Sequence, residues 1–177
     1  MSEKTISQKI TFKGDFLTVL KDEVQLPNGN FATREYIHHI GASAIIAQNN
    51  KNEFLLLKQY RHALKTNFYE FPAGKRDFPD EDYLLTAQRE LLEETGYRAK
   101  LWNKLGLIHP CIGYADEVIH IYHAEQLEFH ATSREEGEHI EVFWKTKKEI
   151  DDLIRSNNMT DTKSISAWSI YSLNNCS

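Results

Sequence analysis

Between Gly74 and Tyr97 the chain reads GKRDFPDEDYLLTAQRELLEETGY, and this run sets three glutamates where a helix tolerates them least. Glu90, Glu93 and Glu94 stand just before Gly96, a residue suited to ending a helix in the left-handed conformation. The acids therefore crowd the last turn, where the helix dipole already presents partial negative charge. Like charges three or four residues apart add a repulsion of about a few tenths of a kcal/mol per pair. At about 100° per residue the three carboxylates share an arc of about 100°, and Leu84, Leu85, Ala87, Leu91 and Leu92 take the adjoining arc. Such a helix can bury one face while the next carries a carboxylate cluster. Two readings follow, a solvated acidic helix or a divalent-cation site, since hard cations such as Mg²⁺ take oxygen ligands and share them with phosphates.

Composition narrows the rest. At 177 residues and 41% hydrophobic content the chain fits one globular domain, with length left for an N-terminal extension. A formal charge of −5 offers no broad basic surface for nucleic acid, and Lys145, Lys147 and Lys148 make only a short solvated cluster. The opening MSEKTISQKITFKGD has no apolar signal core, and no run approaches the roughly 18 apolar residues of a membrane span. A soluble cytoplasmic protein with no membrane partner is expected. Cys111 and Cys176 give neither an expected disulfide nor a nucleophile. Adjacent His38 and His39, like His120 and His123, would point to opposite faces of a strand, which argues against a histidine metal cage.

Alternation on either side of Pro27-Asn28-Gly29-Asn30 predicts a hairpin over Phe16–His39. Ser43–Gln48 and Glu53–Tyr60 read as a second strand pair across Asn49–Asn52. A helix is expected from Asp80, its N-cap, to Thr95, with acids in its first turn. Strands follow at Trp102–His109, Glu117–Ala124 and Glu141–Trp144. Thr146 and Glu149 have capping-box spacing for a helix to Ile154, and Ile165, Trp168 and Leu173 mark a last amphipathic helix. Helices scattered among mostly antiparallel strands make the fold class α+β, layered around a mixed sheet.

The acidic run resembles the Nudix box. Arg89-Glu90-Leu91-Leu92-Glu93-Glu94-Thr95-Gly96-Tyr97 matches the second half of that motif at every fixed position. Six residues separate Gly74 from Glu81 where the family usually has five, which affects the loop around Phe78 and Pro79. The segments LPNGNFATREYIHHIGASAIIA, FLLLKQYRHA, YEFPAGK, HPCIGYADEVIHIYHAEQL and DTKSISAWSIY follow the order of ADP-ribose pyrophosphatases and related ADP-sugar hydrolases, covering most of residues 11–173.

The resemblance implies a Nudix α/β/α sandwich at 40–177, preceded by a β-rich, dimer-forming segment at 1–39. It implies Mg²⁺, with Mn²⁺ able to substitute, ligated by the Ala73 carbonyl, Glu90 and Glu94, with Glu93 nearby and Arg89 pairing with Glu81. The loop Arg134–Glu138 would carry the general base, Glu136, and a further metal ligand, Glu138, with Glu138 and then Glu93 as alternative bases. Arg34, Arg61 and Glu117 match substrate-contact positions, and Arg34 would serve the other subunit of a homodimer. The implied reaction is hydrolysis of ADP-ribose to AMP and ribose 5-phosphate. Another nucleotide sugar such as GDP-mannose, or a ligand-sensing module without turnover, are the alternatives.

Overall fold

The computed structural model describes residues 2–131 and 140–175, which fall into two compact units. The first comprises Met1–Ile40 and His109–Val118. Its sheet is an antiparallel meander of β1 (Lys4–Lys13), β2 (Thr18–Gln25) and β3 (Phe31–His38). The expected hairpin is β2–β3: Gly29 takes φ 86° in the turn, and the Leu26 amide donates to the Asn30 carbonyl at 2.8 Å. β1 was given no element from sequence. Every residue of it is exposed, so its alternation of Ile6, Ile10 and Phe12 with polar residues carries no core signature. Within this unit the Ile37 amide donates to the Tyr114 carbonyl at 2.8 Å, and Asp116 accepts from the His39 amide at 2.7 Å.

The second unit, Gly41–Ile108 with Ile119–Ser177, holds β4 (Ala42–Ala47), β5 (Glu53–Arg61), β6 (Thr66–Glu70), β7 (Ala73–Lys75), α1 (Tyr83–Thr95), β8 (Tyr97–Ile108), β9 (Ile119–Phe129), β10 (Ile140–Thr146), α2 (Lys147–Arg155) and α3 (Thr162–Asn174). One sheet, in the order β7-β4-β9-β8, is mixed, with β4 parallel to β9; the other, β10-β5-β6, is antiparallel. The expected pairing of β4 with β5 does not form. The two strands leave the Asn49–Asn52 turn into different sheets, joined only by a bridge from Gln48 to Phe54. β4 reads ASAIIA and is buried throughout, the pattern of a central strand covered on both faces rather than a hairpin arm with a wet side.

Helices supply that cover. Ile46 and Ile121 face a cluster with Trp168 and Tyr171 of α3 and Ile150 of α2, while Ile45, Ala47, Tyr122 and Ala124 face Ala87 and Leu91 of α1. Successive residues of one strand thus serve opposite layers, as a pleated strand requires. The layering is that of an α/β/α sandwich.

Several boundaries and faces differ from expectation, β8 among them, which starts at Tyr97 rather than Trp102. α1 is capped by Asp82, not Asp80, and has no acid in its first turn: Asp82 accepts from the Leu84 amide at 2.7 Å. Residues 77–81 instead form a turn, in which the Glu81 amide donates to the Phe78 carbonyl at 3.1 Å, and this turn takes up the extra residue before the helix. β9 begins at Ile119, because 109–118 belongs to the other unit. On α3 the buried positions are Ser164, Ala167, Trp168 and Tyr171, leaving Leu173 exposed. Two expectations hold: Gly96 ends α1 at φ 78°, and Thr146 and Glu149 form a full capping box on α2. Among the described residues no helix is long and apolar enough to cross a membrane.

Candidate active site

The edge strand β7 and the last turns of α1 make the centre of the site. Ala44 pairs with Ala73 and Ser43 with Gly74 along β4, and the Ser43 hydroxyl donates to the Tyr83 carbonyl at 2.7 Å, fixing the start of the helix. Two turns later the Glu90 carboxylate lies flat against Gly74. A Cβ there would stand 2.0 Å from the carboxylate carbon, so only glycine permits this approach. One turn further the Ala73 amide donates to Glu94 Oε2 at 3.1 Å. The helix thus presses one half-buried and one buried carboxylate onto one dipeptide of backbone.

Arg89 organises the surrounding charge. Its guanidinium reaches Asp77 at 3.2 Å, Glu81 at 3.4 Å, Glu90 at 2.8 Å and Glu93 at 3.1 Å, and donates to the Lys75 carbonyl at 2.9 Å. Burial works against this cation, but Glu90 and the bonds to Glu81 and Glu90 prevail and raise its pKa. Glu81 is buried as well. Burial pushes its carboxyl up, yet the Asp77 amide, at 2.7 Å, and Arg89 hold it below the ordinary carboxylate range. Glu90 goes the other way: burial, over the opposing pull of Arg89, pushes its carboxyl up to about 7, and Glu93 and Asp77 add to the rise.

Four acids share Arg89, and a second cation, Arg76, donates to the Glu81 carbonyl at 3.1 Å. Among the described residues no three His, Cys, Asp or Glu side chains converge as a metal site. Glu90 and Glu94 nonetheless fit a hard divalent ion, because both are oxygen donors set on the Ala73–Gly74 backbone, Glu94 buried and Glu90 half-buried.

The remaining sequence candidates fall elsewhere. Arg61, at the end of β5, forms a two-point fork with Glu70, Nε to Oε1 at 2.7 Å and Nη2 to Oε2 at 2.6 Å, beside a pocket of about 370 Å³. Arg34 and Glu117 lie in the first unit, where Arg34 pairs with Glu3, and Glu117 stands 3.7 Å from His39. Glu136 and Glu138 lie outside the described residues. Sequence reasoning missed Asp77, Glu70 and Lys163. The signal for Glu70 was an acid set among the apolar residues of FYEFPAG.

The chain is similar to known proteins over most of its length. A NUDIX domain matches residues 37–168, and a nucleoside diphosphate sugar hydrolase N-terminal domain matches residues 3–37. The chain is 36% identical over 165 residues to an ADP-ribose pyrophosphatase of Bacillus subtilis (strain 168), spanning 92% of this chain and 89% of the relative. It is 37% identical over 167 residues to a methanol dehydrogenase activator of Bacillus methanolicus, spanning 93% and 90%. The crystal structure of an ADP compounds hydrolase superposes with a TM-score of 0.86 over 97% of this chain and 92% of that one, at 19% identity, a likeness of fold. This chain belongs to the NUDIX family and is a Nudix hydrolase.

Proposed function

We propose that the chain hydrolyses the pyrophosphate of a nucleoside diphosphate sugar, with ADP-ribose as substrate and AMP and ribose 5-phosphate as products. The observation that carries this reading is the pair Glu90 and Glu94, two carboxylates brought onto the Ala73–Gly74 backbone by the last turns of α1. Identity of 36% to an ADP-ribose pyrophosphatase over most of both chains supports the choice of substrate.

Glu90, Glu94, the Ala73 carbonyl and Glu138 would hold Mg²⁺ or Mn²⁺. Such an ion neutralises charge on the pyrophosphate and on the leaving phosphate. The chain's own residues do the rest. Glu136 takes a proton from the attacking water as the new P–O bond forms and the bridging P–O bond breaks. Arg89 holds Glu81, Glu90 and Glu93 in place, and Arg61 offers a planar fork to a phosphate.

Arg34 and Glu117 complete substrate contact, with Arg34 reaching the site of a second copy in a homodimer. The support for a second copy is β1, exposed along its whole length and showing Ile6, Ile10 and Phe12 to solvent. A panel of nucleotide sugars with Mg²⁺, read as phosphate released after phosphatase coupling, tests the reading. ADP-ribose should turn over fastest. Faster release from GDP-mannose would reassign the substrate, and equal release in chelator would remove the metal from the reaction. The 37% identity to a protein named as a dehydrogenase activator favours one second reading, a regulator. Absence of turnover on the whole panel would favour it.

A further inference from the structure

Glu70 is the acid with the least exposure among the described residues, 2%, and a carboxylate so placed needs partners. It has two cations. Besides the Arg61 fork, the Lys163 ammonium bonds Glu70 Oε2 and donates to Asp161 Oδ2 at 2.8 Å. Asp161 is at the same time the N-cap of α3, accepting from the Ser164 amide at 3.0 Å, and the Phe71 amide donates to Ser164 Oγ at 2.9 Å. The start of α3 is therefore stitched to the Glu70–Phe71 backbone, two residues before Ala73.

Lining the pocket, Arg61 and Lys163 stand against Glu70 and Asp161, and Glu94 also acts on Arg61. Glu70 uses Nε and Nη2 of the Arg61 fork, and Nη1 has no hydrogen-bond partner among the described residues. Arg61, Glu70, Asp161 and Lys163 all line the same pocket. The Lys163 side chain is only 16% exposed and already serves two carboxylates. It is poorly placed to hold a substrate itself.

We propose that Lys163 is a positioning residue for substrate binding: by neutralising the second acid of the corner it keeps the outer edge of Arg61 free for a phosphate oxygen of the substrate. Without Lys163 a single guanidinium faces both Glu70 and Asp161. Its free edge turns to Asp161, and an incoming phosphate meets an occupied fork in a corner with net negative charge. The inference rests on the reading of Arg61 as a phosphate contact.

Steady-state kinetics on ADP-ribose with Mg²⁺ tests it. Lys163→Met should raise KM by about tenfold, the scale of one charge-assisted bond, with kcat within about twofold. Lys163→Arg should restore KM. Adding Asp161→Asn to Lys163→Met should bring KM back most of the way, since asparagine still caps the helix and the competing charge is gone. In an Arg61→Met background Lys163→Met should change KM no further. An equal tenfold rise in that background, or an unchanged KM in Lys163→Met alone, overturns the proposal. An Arg61→Met enzyme with wild-type KM removes the reading of Arg61 and the inference with it. Should Lys163→Met fail to fold, Asp161→Asn alone is the test: it relieves both cations and should lower KM by about twofold, and a KM that stays level or rises overturns the proposal.

Discussion

Glu90, half-buried, and Glu70, buried, are both glutamates beside an arginine, and their surroundings drive them in opposite directions. Glu90 shares Arg89 with three other acids, and burial pushes it up to about 7. Glu70 has a whole guanidinium fork and an ammonium. Burial raises its carboxyl, but the bonds to Arg61 and Lys163 outweigh that and hold it below the ordinary range. The first corner shares Arg89 among four acids, and the second gives its buried acid two cations and leaves one guanidinium edge spare. On the proposed reading a cation occupies the first corner and a substrate phosphate the second.

The comparison breaks most visibly if the first corner loses a donor. Glu94→Gln keeps an acceptor for the Ala73 amide and removes one charge, so the fold should survive with an unchanged circular dichroism spectrum. Turnover in Mg²⁺ should fall by at least about a hundredfold. A variant with wild-type kcat would leave Glu94 a purely structural residue.

The two corners should also give stability opposite dependences on pH. In chelator, Glu90 binds its proton more tightly in the folded state than unfolded. The native state then holds more protons between about pH 4.5 and 7, and stability falls as pH rises through that window, by up to about 3 kcal/mol. Glu90→Gln should remove this slope and melt higher than the parent at pH 7. Glu70 has a lowered folded pKa, so its contribution is present above the unfolded value near 4.3 and is lost as pH falls below it. Glu70→Gln should melt lower at pH 7, by the equivalent of about 3 kcal/mol, because two cations lose their acid. Thermal melts from pH 4 to 8 decide both. Parallel slopes for the two variants would erase the distinction.

How much of this contrast the sequence disclosed depends on distance along the chain. The acids of α1, the Gly96 stop and the Arg89–Glu81 pair were legible because each lies within a few turns of the same helix or its entry loop. The Glu70–Lys163 bond joins positions 93 apart, and nothing in either neighbourhood names the other. Pairing failed for a similar reason. The ASAIIA run announced a buried strand, but its partners, β7 and β9, are set by the layering of the whole unit and not by the Asn49–Asn52 turn. Asp80 and Asp82 are equally good caps on paper, and tertiary demands on the 77–81 turn choose between them. Glu136 and Glu138 lie outside the described residues.

A smaller test probes how closely the acid sits on its strand. Gly74→Ala puts a methyl into the space of the Glu90 carboxylate, which must move away from Ala73–Gly74. The carboxylate is the far end of a flexible side chain and swings aside at little cost in stability, and kcat should fall by about tenfold as the donor is displaced. Gly74→Ala combined with Glu90→Gln should show little loss of kcat beyond that of Glu90→Gln alone, since the same donor is spoiled twice. Full additivity would place the effect of Gly74 elsewhere.

The smallest effect concerns the other proposed arginine. Arg34 also sits in a two-point fork, with Nε on Glu3 Oε2 at 3.0 Å and Nη2 on Glu3 Oε1, while Nη1 donates to the Thr33 carbonyl at 3.0 Å. Unlike Arg61, it keeps no edge in reserve, and its acid is 38% exposed where Glu70 is 2% exposed. An exposed pair of this kind contributes about 0–1 kcal/mol and weakens with salt. If Arg34 meets a substrate phosphate, Glu3 must first let go, and Glu3→Gln lowers that barrier to binding. KM for ADP-ribose should fall by about two- to fivefold at low ionic strength and by less at high salt, with kcat unchanged. A KM indifferent to Glu3→Gln at low salt, together with a KM indifferent to Arg34→Met, would confine this fork to the surface of its own sheet and leave substrate phosphate recognition to Arg61.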